Sequence, residues 1–84
     1  MDAMSNESVY FESDGLLHVN ATAFQSAGMR RFHIIVTRVN DVNWNTVDVV
    51  VEKLMPIDTL YDSEAVREAI RMFDAALALE AQNE

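Results

Sequence analysis

A chain of 84 residues with fourteen acidic and six basic side chains, formal net charge −8, makes one small domain. At that size only about 60–65% of the unfolded surface can be buried, enough for one modest core. Half of the residues are hydrophobic and 24% are charged, which is too apolar for a chain disordered as a whole. The excess of acids disfavours nucleic acid as a partner, because that affinity comes largely from Lys and Arg displacing counterions. The chain has no Cys, so a disulfide framework and a thiolate metal site are excluded.

No apolar run approaches the roughly 20 residues of a membrane span, and no secretory pattern is present, so a cytoplasmic protein away from the membrane is expected. Asn20-Ala21-Thr22 matches a glycosylation acceptor, which has meaning only in a secreted chain.

Residues 1–7 show no periodicity and read as a loose leader, followed by a sheet over residues 8–55 and a helix over 62–82. Two strand-like runs flank Ser13-Asp14-Gly15. A three-residue loop closed by Gly15 in the left-handed region pairs Val9 with Val19 and Phe11 with Leu17, keeping apolar side chains together. From Leu17 to Ala23 apolar and polar residues alternate with a period of two, which favours a strand. The competing pattern is a short helix over 20–28, with Asn20 as N-cap and Gly28 just past its end.

Residues 29–38, Met-Arg-Arg-Phe-His-Ile-Ile-Val-Thr-Arg, alternate as well. Phe32, Ile34 and Val36 point one way; Arg31, His33, Ile35 and Thr37 point the other. Arg30 and Arg38 fall on the Phe32 side, so the arginines do not form one stripe. A polar connection containing Val42 and Trp44 leads to a Val-rich strand that Pro56 should stop. Pairing these two strands as a hairpin sets Val36 opposite Val49, Ile34 opposite Val51, Thr37 opposite Asp48 and His33 opposite Glu52. The basic residues then balance nearby acids, worth roughly 0.2–1 kcal/mol per facing pair. That is the ordinary explanation of a basic stretch, and it is preferred to an anion site.

The last element has Asp62 as N-cap, Tyr61 and Val66 as a hydrophobic staple, and Glu64 in the first turn. Val66, Ala69, Ile70, Phe73, Ala76 and Leu77 form an apolar stripe widened by Met72 and Leu79, and Arg67, Glu68, Arg71 and Asp74 form the wet face. The expected fold is α+β: a four-stranded antiparallel meander whose inner face of Val9, Phe11, Leu17, Val19, Phe32, Ile34, Val36, Val47, Val49 and Val51 is covered by the helix.

Signals of chemistry are sparse. His18 and His33 with Glu52 are the one group that could hold zinc, yet their spacing matches no recurring metal motif, so neither a metal nor another cofactor is expected. With two glycines there is no phosphate-cradling loop, and no nucleophile motif or dedicated carboxylate pair stands out. A non-enzyme follows.

Recognition remains. The expected registers align Tyr10, His18, Ile35 and Val50 in one row on the face away from the helix, a possible contact patch, and Trp44 in its loop is a second candidate anchor. Size and charge of this kind are those of accessory and inhibitor proteins, including the anti-defence proteins of phages and mobile elements. The sequence therefore suggests an acidic inhibitor or adaptor that covers a basic surface of a larger protein, through complementary fields. The alternative is a homodimeric structural subunit in which open faces or edge strands pair.

Overall fold

In the computed structural model, residues 6–43 and 45–82 are described, apart from the side chain of Val47. The chain runs β1 (Glu7–Asp14), β2 (Leu17–Ser26), β3 (Met29–Val39), β4 (Thr46–Leu54) and α1 (Asp62–Gln82). The strands form one antiparallel sheet in the order β1-β2-β3-β4, a meander with α1 packed on one face. The fold is α+β, as expected from the patterning. Most of the expected leader lies outside the described residues, and Glu7 already belongs to β1.

The two central strands supply the core. Leu17, Val19, Ala21 and Ala23 of β2 and Phe32, Ile34 and Val36 of β3 are buried, each set on one side of its strand, and Val39 is buried at the end of β3. β2 is a strand throughout, not a helix over 20–28. Ser26 pairs with Met29, leaving Ala27-Gly28 as a two-residue turn with φ of 53° and 78°. Two left-handed residues in succession are the mark of a type I′ turn, whose twist matches the flanking strands.

Both outer registers differ from expectation. Asp14 pairs with Leu17, so the first hairpin turns on two residues, Gly15 and Leu16, with Gly15 at φ 63°. Phe11 faces Asn20 and Glu12 faces Val19, in place of Phe11 with Leu17 and Val9 with Val19. The tighter turn places the Leu16 carbonyl to accept the Val39 N–H at 3.0 Å. Val9 is an extra residue at a bulge, between the Ser8–Thr22 and Tyr10–Ala21 pairs. The two-residue turn exchanges the faces of β1: Tyr10, opposite Ala21, packs toward the core, whereas Phe11 is 55% exposed.

On the other side Val36 faces Val51 and Ile34 faces Lys53, two residues from the expected pairing. Thr37 faces Val49, and His33 faces Leu54. The slide lets the chain continue past Leu54 so that the Met55 N–H donates to the Phe32 carbonyl at 2.9 Å, and Met55 is buried. Val50 is left as an extra residue between the Val36–Val51 and Thr37–Val49 pairs, and Val49 and Val51 are exposed instead of core.

α1 spans the expected residues but sits rotated about its axis. Its buried line is Ala65, Ala69, Met72, Phe73 and Ala76, while Ile70 is 42% exposed and Glu68 half-buried. Alanines along the contact let the helix lie close over Ala21 and Ala23, with Phe73 and Met72 as the bulky filling. Asp62 does not cap the helix, because its carboxylate is engaged by Arg30 at 2.9 Å. The Glu64 carboxylate instead reaches back to the N–H groups of Leu60 and Tyr61, the reciprocal half of a capping box. Tyr61 is exposed and makes no staple. No helix among the described residues is long and apolar enough to cross a membrane.

Candidate functional site

One layer of helix leaves the opposite sheet face uncovered, and the registers specify what it displays. One row runs Ser13, His18, Thr37, Val49; the next runs Phe11, Asn20, Ile35, Glu52; a third runs through Thr22, His33 and Leu54. Phe24 and Arg31 face each other beyond that. Leu54 is 51% exposed, and Ile35, His18 and His33 are half-buried by their neighbours. Phe11 and His18 meet edge to face, ring centroids 5.5 Å apart.

His18 and Ile35 therefore stand on the open face as the alternation requires, in adjacent rows rather than one. Tyr10 and Val50 do not join them, because the two-residue turn at Gly15-Leu16 sets Tyr10 on the helix side, opposite Ala21, and the bulge at Val50 packs that side chain against the core. Tyr10 donates its hydroxyl to Glu12, and this hydrogen bond to a carboxylate, with burial and the charges of Glu12 and Asp74, raises the phenol pKa above its usual value. Trp44 lies outside the described residues.

The possible zinc group does not converge. His33 lies opposite Thr22, four residues along β2 from His18, a separation of about 13 Å at strand rise. His33 Nε2 approaches Glu52 at 3.8 Å. Among the described residues no group of three His, Asp or Glu side chains could share a metal ion.

The arginines of the basic stretch have local partners. Arg30 bonds Asp62 and Glu7 and stacks over Phe32 with its charged carbon 5.4 Å from the ring centroid. Arg38 bridges Asp48 of β4, at 3.1 Å, and Glu80 of α1. Arg31 donates to the Met55 carbonyl at 3.1 Å, although its Nε is buried without a partner. These bonds support charge balancing as the role of the stretch. The hydrogen bond to Asp62 raises the Arg30 pKa above its usual value.

Two parts of the exposed surface were not singled out by sequence reasoning. Phe11 was assigned to the core through the wrong turn length, whereas Leu54 lies on the outer face that alternation from Glu52 already gives it. Ile57, Leu60 and Tyr61 project from the β4–α1 connection although its backbone is tied down: Thr59 is buried and donates its N–H to the Pro56 carbonyl. An Ile directly after Pro56, at the centre of a tight turn where polar residues are usual, was the available signal. No protein family, no curated protein and no solved structure matches this chain, so the open sheet face is put forward as its candidate working surface on its own geometry.

Proposed function

We propose that the chain is a non-enzymatic protein-binding module, an inhibitor or adaptor that lays the open face of its sheet on a larger cytoplasmic protein. The observation that carries this reading is the uncovered face itself, where Phe11, Ile35, Val49 and Leu54 stand among Asn20, Thr22, His18 and His33. Interfaces of this kind have an apolar centre with hydrogen-bonding groups and a charged rim. Glu52 is the acid that stands on this face, beside Ile35, and the chain as a whole carries −8. The partner surface that matches is apolar at its centre and basic around it, as on a protein that otherwise holds nucleic acid.

The test is a pair of variants on the face. Ile35→Lys sits opposite Glu52 and should keep the fold, whereas Ile35→Glu would add a like charge there. Ile35→Lys and Phe11→Ser are expected to leave the melting temperature within a few degrees of wild type and to abolish retention of the partner on immobilised protein. Retention of wild type should weaken as salt rises. A partner held equally by both variants would refute the assignment of this face.

A further inference from the structure

We propose that β4 is a self-pairing edge, through which two copies of the chain join antiparallel about a two-fold axis between Val50 and Val51 into one eight-stranded sheet. This does not rest on the open-face reading, since edge pairing leaves that face free.

The proposal starts from an anomaly. β4 is a nine-residue edge strand of sequence Thr-Val-Asp-Val-Val-Val-Glu-Lys-Leu, and Val-rich edges of that length are what proteins ordinarily cover. Beside it, between β4 and α1, lies an apolar groove of about 250 Å³ lined by Val50, Val51, Met72, Ala75, Ala76 and Leu79. Val51 is 40% exposed and Leu79 56%. An incoming strand paired to β4 would lay its own helix-side residues across the open side of this groove.

The choice of a second copy as the occupant comes from charge and parity. Asp48 faces the helix side, where Arg38 bonds it and also reaches Glu80 of α1. Lys53 faces the same side, with Nζ 3.0 Å from Glu68. Residues five apart on a regular strand point to opposite faces. The extra residue at Val50 removes that offset and puts Asp48 and Lys53 on one face, on either side of Val51. A two-fold between Val50 and Val51 then sets Asp48 of each copy opposite Lys53 of the other, and Val49 opposite Glu52 on the open side. Centring the axis on Val50 instead would oppose Asp48 to Glu52, two acids that point to different faces. Bulges usually keep foreign strands off an edge; about this axis the bulge at Val50 meets its own copy, so two residues face two there. The second irregularity of β4, between the Arg38–Asp48 and Val39–Thr46 pairs, lies outside the span from Asp48 to Lys53.

Each copy carries −8, so pairing should strengthen with salt, opposite to docking on a basic surface. The decisive experiment is a charge exchange followed by light scattering after size exclusion at physiological salt. Wild type is expected at twice the chain mass. Lys53→Glu alone and Asp48→Lys alone, each checked for folding by circular dichroism, are expected at the monomer mass, because each opposes like charges twice. An equimolar mixture of the two restores both pairs and the dimer. Wild type monomeric throughout the micromolar range, Lys53→Glu still dimeric, or a mixture that stays monomeric overturns the proposal.

Asp48 and Lys53 also serve within the chain, so a second measurement covers a variant that fails to fold. The protein has no Cys, and Val49 and Glu52 are exposed. Val49→Cys mixed with Glu52→Cys should form a disulfide-linked heterodimer under mild oxidant, and neither variant should cross-link alone. No cross-link on mixing equally overturns the proposed register.

Discussion

Ala27→Asn is expected to stabilise the domain, although alanine is the better residue in most regular structure. Ala27 holds φ at 53° in the turn between β2 and β3, a conformation that costs an L-residue with an ordinary Cβ about 1–2 kcal/mol. Asparagine tolerates the left-handed region and is favoured with a following glycine in type I′ turns, so recovering part of that cost gives about 0.5–1 kcal/mol. For a domain of this size such a gain raises the melting temperature by roughly 2–8 °C. Gly28→Ala is the control. Nothing lies within 4 Å of the position its Cβ would take, so its destabilisation, about 1–2 kcal/mol, is backbone strain at φ 78° alone. Thermal and urea unfolding of the two variants beside wild type measure both effects. The sign discriminates: in a helix ending at Gly28, Ala27→Asn would cost roughly 0.5 kcal/mol through lost propensity. A neutral or destabilised Ala27→Asn would refute the turn and the strand register built on it.

Phe73→Ala should cost about 3–5 kcal/mol, because Phe73 is the large side chain among the alanines of the helix contact; an unchanged unfolding midpoint would overturn the helix-on-sheet packing. Glu68 accepts hydrogen bonds from Arg71 and Lys53, and the Arg71 bond above all holds its carboxyl down to about 2, against a burial cost that works the other way. The folded carboxyl binds its proton less tightly than the unfolded one, so this contribution is complete above about pH 4.5 and is lost as pH falls towards 2. Denaturant midpoints should accordingly fall less steeply over that window in Glu68→Gln than in wild type; parallel profiles would refute the assignment.

What the sequence revealed, and what it withheld, divides along one physical line. Period-two alternation located β2 and β3, and the amphipathic run located α1 between the right residues, because both signals depend on side chains facing a core. The faces of β1 and β4 were not legible. At β1 a turn of two residues, where three were expected, reverses Tyr10 to Asp14, and at β4 the extra residue at Val50 reverses Val49 and Asp48; neither a turn length nor a bulge leaves a trace in composition. Pairing apolar with apolar was a reasonable guide for central strands and failed at the edges, where the inner side of β1 carries Tyr10 and Glu12. Asp62 was chosen as a cap on its residue type, whereas Arg30 from a distant strand claimed it. The candidate face was thus foreseen as a location, with His18 and Ile35 on it, but two of its intended members moved to the other side.

The order of elements bears on the protein's life during synthesis. Every strand pairs with its neighbour in the chain, so the meander needs only short loop closures and can assemble quickly. The layer that covers Leu17, Val19, Phe32 and Ile34 nevertheless comes last, from Asp62 onward. While the ribosome is still translating that segment, a nascent sheet has two bare faces and two unpaired edges, the features that drive chains together on polysomes. On the β1 edge Glu7, Glu12 and Asp14 act as gatekeepers in that interval, opposing pairing with a neighbouring unfinished chain by repulsion. A message truncated before the Asp62 codon would yield a product with no lid for its core, whose fate is aggregation or proteolysis rather than a smaller working protein.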